Sequence, residues 1–108
     1  MLSYIDVIPA CERVRRGESL NLLGGVANDG AATTVDIRVW GRVDTTWKVL
    51  ATARVELAAG EHRHLYFTLE PECFSEARWQ AEVEDIELCI SDRKPDAAAR
   101  GRLVFVEQ

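Results

Sequence analysis

The stretch VRRGESLNLLGGVANDGAATTVDIRVWG, Val14 to Gly41, decides how this chain is read. Its middle, Asn28-Asp29-Gly30, holds residues that tolerate positive φ and mark a tight turn. On one side, Leu20, Leu22 and Val26 fall on a single phase at period two, with Gly24 between the last two. On the other, Val35, Ile37 and Val39 alternate with Asp36, Arg38 and Trp40. Strict alternation is the signature of a half-buried strand. Gly24-Gly25 lowers strand propensity and points to a bulge or to close approach by another strand.

The same punctuation continues outward, at Pro9, Gly17, Asp44-Thr45, Gly60, Pro71 and Lys94-Pro95. A first strand is expected over Leu2 to Ile8, closed by Pro9, which has no N–H to give a ladder. Thr46 to Leu57 reads as one extended run or two shorter ones. Trp47, Val49, Ala51, Ala53, Val55 and Leu57 fall on one side. His62 to Leu69 places Leu65, Phe67 and Leu69 inward and His64, Tyr66 and Thr68 outward. Glu72 to Arg78 is expected as a turn or short helical loop. Beyond it the apolar phase changes from Trp79, Ala81 and Val83 to Ile86, Leu88 and Ile90. That slip calls for a bulge near Asp85. Arg93 to Gly101 is expected to form a hairpin loop, and Arg102 to Val106 the last strand. The spacing predicts an all-β, antiparallel, seven-stranded immunoglobulin-like sandwich occupying residues 1–108 as a single domain.

Composition agrees. At 108 residues and 47% hydrophobic content, the chain can close one core without disulfides or metal. No apolar run approaches the ~20 residues of a membrane span. The N-terminal Met1-Leu2-Ser3-Tyr4-Ile5-Asp6 lacks the pattern of a signal peptide, so a cytoplasmic location is expected if Met1 is the native start. A formal net charge of −5 disfavours nucleic acid. Arg13, Arg15 and Arg16, interleaved with Glu12 and Glu18, read as a solvated turn. The acidic run from Glu82 to Glu87 lacks the spacing of a calcium loop.

Catalytic signals are weak. The three cysteines, Cys11, Cys73 and Cys89, read as small hydrophobes in a reducing compartment. A Cys11–Cys73 or Cys73–Cys89 bridge stays open. His62 and His64, the only histidines, sit at i and i+2 on one strand face and could share a metal. With no third ligand nearby and Arg63 between them, an exposed strand edge is the plainer reading. No serine lies in a nucleophile elbow, and Gly24-Gly25 is not a phosphate loop. No cofactor and no enzymatic activity are expected.

Three segments bear a resemblance to a known family. VRRGESLNLLGGVANDG, VDIRVWGRVDTTWKVLATARVEL and LAAGEHRHLYFTLEP, together spanning Val14 to Pro71, resemble the CARDB (cell-adhesion-related domain of bacteria) pattern. It is a seven-stranded sandwich of immunoglobulin or fibronectin-III type. The resemblance implies an interaction or spacer module with no catalytic residues to carry over.

The residues with a functional signal are therefore aromatic and apolar ones on the wrong phase. Trp40 and Tyr66 oppose the clean apolar phase of their strands. Leu103, Val104, Phe105 and Val106 are apolar on both phases, which implies that something covers the outer face. A contact surface is expected from Trp40, Cys89 and either Val104 with Val106 or Leu103 with Phe105, with Tyr66, whose strand is expected in the opposite sheet, as a further partner-binding candidate. The occupant would be a protein partner or a second copy of the chain, unless the N-terminus or the Glu72–Asp85 segment covers this face. A sugar platform built on Trp40, Trp47 or Trp79 is a second reading. A small accessory or inhibitor subunit inserting the Arg93 to Gly101 loop is a third.

Overall fold

The computed structural model describes residues 2–9, 13–15, 17–43, 46–74, 83–96, 98–99 and 101–107. Two β-sheets enclose one core. The strands are β1 (Leu2–Pro9), β2 (Arg13–Arg15), β3 (Leu20–Asn28), β4 (Thr33–Val43), β5 (Thr46–Leu57), β6 (His62–Leu69), β7 (Val83–Ser91) and β8 (Arg102–Glu107). One 3-10 turn, Pro71–Phe74, follows β6. The smaller sheet has the order β1-β3-β6 and the larger β2-β8-β7-β4-β5.

Two expectations about the architecture are corrected. There are eight strands among the described residues, not seven. The additional one is β2, in the arginine-rich stretch expected to be a solvated turn. Val14 is buried while Arg13 and Arg15 on either side are exposed. One apolar residue between two arginines is too short a pattern to announce a strand. The sheet is also not wholly antiparallel, because β2 runs parallel to β8, pairing Arg13 with Phe105 and Arg15 with Glu107.

The alternation read from the sequence places the core. Leu20, Leu22 and Val26 of β3, Ile37 and Val39 of β4, Leu65, Phe67 and Leu69 of β6, and Ile86, Leu88 and Ile90 of β7 are buried together. A Cβ on Gly24 would run into the end of Ile90 on the facing sheet, so the sheets approach closely here. The β1 register shifts between Ile5 and Ile8, opposite Gly25 and Leu23. Close approach and bulge, the two readings of Gly24-Gly25, thus meet at one place, with the bulge on the neighbouring strand.

No register shift occurs along the β7–β8 ladder, from Val83 opposite Glu107 to Leu88 opposite Arg102. The expected bulge near Asp85 is therefore absent from that pairing. Residues 75–82, including Trp79 and Ala81, lie outside the described residues, as do Asp44 and Thr45. The bulge that does matter lies in β5. Val39 pairs with Ala51 but Trp40 pairs with Val49, leaving Leu50 as the extra residue. A one-residue insertion reverses every later side chain. Val55 and Leu57 keep the inward phase, whereas Trp47 and Val49 share the outer face with Trp40. Trp47 was expected on the same side as Leu57, and the Leu50 bulge is the reason it is not. The carbonyl of Leu50 accepts a hydrogen bond from the Cys73 thiol at 3.4 Å.

Candidate interaction site

The outer face of the larger sheet carries Arg38, Trp40 and Arg42 on β4, with Cys89 and Glu87 opposite them on β7. Leu103 of β8 follows beside Glu87. Trp47 and Val49 of β5 stand next to Arg42 and Trp40. Of the residues expected to contact a partner, this face brings together Trp40 and Cys89. The chain itself covers the part around Trp40 and Trp47, while Val49 and Leu103 stay about half exposed.

The cover is formed by the described residues of the loop over 92–101. Trp40 Nε1 donates to the Ser91 carbonyl at 3.3 Å, just before the loop. Arg38 donates to the Asp92 carbonyl at 3.2 Å and Trp47 Nε1 to the Asp96 carbonyl at 3.2 Å. Arg42 reaches the Ala99 carbonyl at 3.4 Å. Side chains of the sheet thus supply donors to loop carbonyls that would otherwise have to face water. Asp96 shapes the loop from within, its carboxylate accepting from the Ala98 N–H at 3.0 Å. Gly101 ends the loop against the Leu88 carbonyl, where a Cβ has no room. The loop read as a device for entering another protein is packed on its own sheet.

Arg42 is the centre of this arrangement. Its guanidinium lies 5.2 Å from the centroid of the Trp47 ring and bonds Glu87 Oε1 at 2.6 Å. Glu87 Oε2 is buried and, among the described residues, has no hydrogen-bond partner. A second anchor comes from the other sheet. The Tyr4 hydroxyl donates to Asp92 Oδ1 at 2.7 Å and accepts from the Asp92 N–H at 3.0 Å. Burial, more than the nearby Asp92 carboxylate, holds the Tyr4 hydroxyl well above the usual tyrosine range.

The candidate residues consequently separate. Trp40 is buried beneath its own loop, and Cys89 is half-buried beside it. Val104 is fully buried in the core, so of the two β8 phases the outward one is Leu103 with Phe105. The expected contact through Val104 is corrected on this point: its neighbours across the ladder put it on the core phase with Ile86. The Val106 side chain lies outside the described residues. Leu103 is about half exposed, and Phe105 is partly sheltered by Arg13, whose guanidinium lies 5.5 Å from the ring centroid. Tyr66 is on the opposite sheet and is 78% exposed, the most exposed large hydrophobic residue described.

Tyr66 sits on β6, an edge strand of the smaller sheet. Leu23 is its half-buried partner on β3, and Gly25 and Ala27 stand opposite His64 and His62. Next to it Thr68 donates its hydroxyl to Asn21 Oδ1 at 2.9 Å. On the other phase of β6, Arg63 occupies an inward position beyond the end of the core, paired with Glu61 at 2.7 Å. A charge on the inward phase is a known guard against uncontrolled pairing at a sheet edge.

No cluster of three or more metal-ligating side chains exists among the described residues. Cys73 and Cys89 are thiols not bridged to each other, and Cys11 lies outside the described residues. Burial raises the Cys73 thiol above its usual range, the reverse of what a nucleophile needs. A shallow open groove of about 760 Å³ at one end of the sandwich is bordered by Thr34, Glu56, Glu61 and Arg63. Its Glu61 carboxylate is held below the usual range by the Ala58 N–H and by Arg63, so it is a structural acceptor.

No family model matches the chain, and no curated protein matches it. Solved structures do. A β-glucosidase from Erythrobacter marinus aligns over 98% of this chain with a TM-score of 0.79 and 16% identity. A β-glucosidase from Listeria innocua in complex with gluconolactone aligns over 99% with a TM-score of 0.69 and 19% identity. A saponin-metabolising β-glucosidase from intestinal bacteria gives 97%, 0.66 and 15%. At such identities the likeness is one of fold. This chain spans only 15–16% of the length of those enzymes.

The strongest features of the site were hidden from sequence reasoning. Arg42, Glu87, Tyr4 and Asp92 are polar residues with no motif around them. The one available signal was Arg42 and Trp47 flanking a short turn, a spacing that also fits two unrelated surface residues.

Proposed function

We propose that this domain is a non-catalytic interaction module that offers the outer face and edge of its smaller sheet to a protein partner or to a second copy of itself. The exposure of Tyr66 on edge strand β6 carries this reading. The larger sheet spends Trp40 and Trp47 on its own loop and shelters Phe105 under Arg13, leaving Tyr66 as the most exposed large aromatic among the described residues. Buried aromatics supply much of the affinity at interfaces, and an edge strand can add backbone hydrogen bonds. We assign the sandwich to the immunoglobulin and fibronectin-III type, with β2 as a continuation of the first strand that crosses to the second sheet. The CARDB resemblance and the occurrence of this fold as about one-seventh of larger enzymes both favour a module that works alongside other domains.

The test places a photo-crosslinking amino acid at position 66 and, as a control, at Arg54 on β5. A discrete adduct from position 66 only, abolished by competition with the unlabelled domain, is expected. Monomeric mass by light scattering together with no adduct at position 66 would remove the proposal.

A sugar-binding role is the second reading. Trp40 and Trp47 are buried and provide no platform, and Trp79 lies outside the described residues. Tyr66 flanked by Thr68 and Asn21 is the surviving arrangement of an exposed ring beside polar groups. Retardation of the native domain in gels containing soluble β-glucan, lost in Tyr66→Ala, would select this reading over a protein partner.

A further inference from the structure

We propose that His62 and His64 form a bidentate site for a late first-row divalent metal ion, with nickel(II) as the probe. The two residues stand at i and i+2 on β6, opposite Ala27 and Gly25 of β3. Side chains two apart on a strand share a face, with Cα atoms roughly 6.6 Å apart at the usual rise per residue. Two imidazoles at that spacing can turn one nitrogen each toward a common ion. Both histidines are exposed. The cross-strand neighbours are an alanine and a glycine, so no bulky side chain stands in the way. β6 is also an edge strand, so its other flank has no adjoining strand in this sheet.

The usual objection is the arginine between them. Here Arg63 lies on the opposite phase of the strand and its guanidinium is bound by the Glu61 carboxylate at 2.7 Å. Its charge is turned away and offset. Imidazole is a preferred donor for nickel, copper and zinc, and the remaining coordination positions would be filled by water. Two ligands on a fixed scaffold bind one ion far better than either alone, because the second contact is intramolecular.

Nickel(II) is the appropriate probe because the thiols of this chain would reduce copper(II). Isothermal titration of the untagged chain with nickel chloride, in a buffer without coordinating amines, is expected to show one site per chain. His62→Ala and His64→Ala are each expected to weaken it at least tenfold, with an unchanged melting temperature in the absence of metal. Arg63→Ala, which alters only the other face, is expected to leave the affinity within twofold. Equal affinity in wild type and both histidine variants, or no binding at about 1 mM nickel in wild type, would overturn the proposal.

Discussion

Tyr4 and Asp92 join the two sheets through a reciprocal pair of hydrogen bonds. The hydroxyl donates to the carboxylate at 2.7 Å and accepts from the backbone N–H of the same residue at 3.0 Å. The first strand is thereby tied to the base of the loop that covers the larger sheet. Tyr4→Phe keeps the ring and removes both bonds, and is expected to cost about 1–2 kcal/mol in urea unfolding. The tyrosine is raised above its ordinary value in the fold, so its contribution is complete below about pH 10. It is lost as pH rises past that value, where the unfolded chain releases the proton and the folded one does not. Wild type should therefore lose stability above pH 10 more steeply than Tyr4→Phe. Parallel slopes would show that the hydroxyl is not held in this way.

Arg42 and Glu87 make a mostly buried ion pair over the Trp47 ring. Removing one partner strands the other away from water. Arg42→Met is expected to destabilise by about 2–3 kcal/mol, below the full cost of a completely buried pair because both side chains keep some exposure. The double variant Arg42→Met with Glu87→Met is expected to be more stable than Arg42→Met alone. Strictly additive losses in thermal unfolding would mean that the two charges are not coupled.

Gly24 faces the end of the Ile90 side chain across the core. Gly24→Ala is expected to cost about 1–3 kcal/mol through overpacking. Ile90→Val removes the colliding methyl and by itself costs about 1 kcal/mol. Combined, the two should cost less than their sum. A Gly24→Ala protein as stable as wild type would show that the sheets can part without penalty.

Asn28 is 2% exposed, and its side chain fastens two turns. Nδ2 donates to the carbonyls of Ala31 at 2.9 Å and Ala58 at 3.1 Å, while Oδ1 accepts from the Gly30 N–H at 3.0 Å. Asn28→Asp replaces a donor of two bonds with an oxygen facing two carbonyls. About 2–4 kcal/mol should be lost at neutral pH, and part of it regained in acid, where the carboxyl can donate. Chemical denaturation at pH 7 and pH 4 measures the difference.

The period-two pattern made the strands and most of the core readable. β5 and β6 begin and end where alternation and turn residues place them. Legibility ended where one residue's insertion reversed a phase, as at Leu50, because no glycine or other turn residue marks that bulge. β2 escaped for the opposite reason, since three residues carry too little pattern. Tyr66 was readable as the exposed aromatic because it contradicts its strand's phase. Trp40 contradicts its phase equally, and only the path of a loop more than fifty residues away decides that it is covered. Such long-range closure leaves no local mark.

The parallel pairing of β2 with β8 has a mechanical meaning. Leu2 lies beside Asn28 at one end of the sandwich, while Glu107 lies beside Val83 at the other. The molecule is 45 Å long and at most 25 Å across. Tension applied between those ends draws β2 and β8 in opposite directions along their own axes. The Arg13–Arg15 ladder then bears load in shear, all of its bonds together, instead of unzipping one bond at a time.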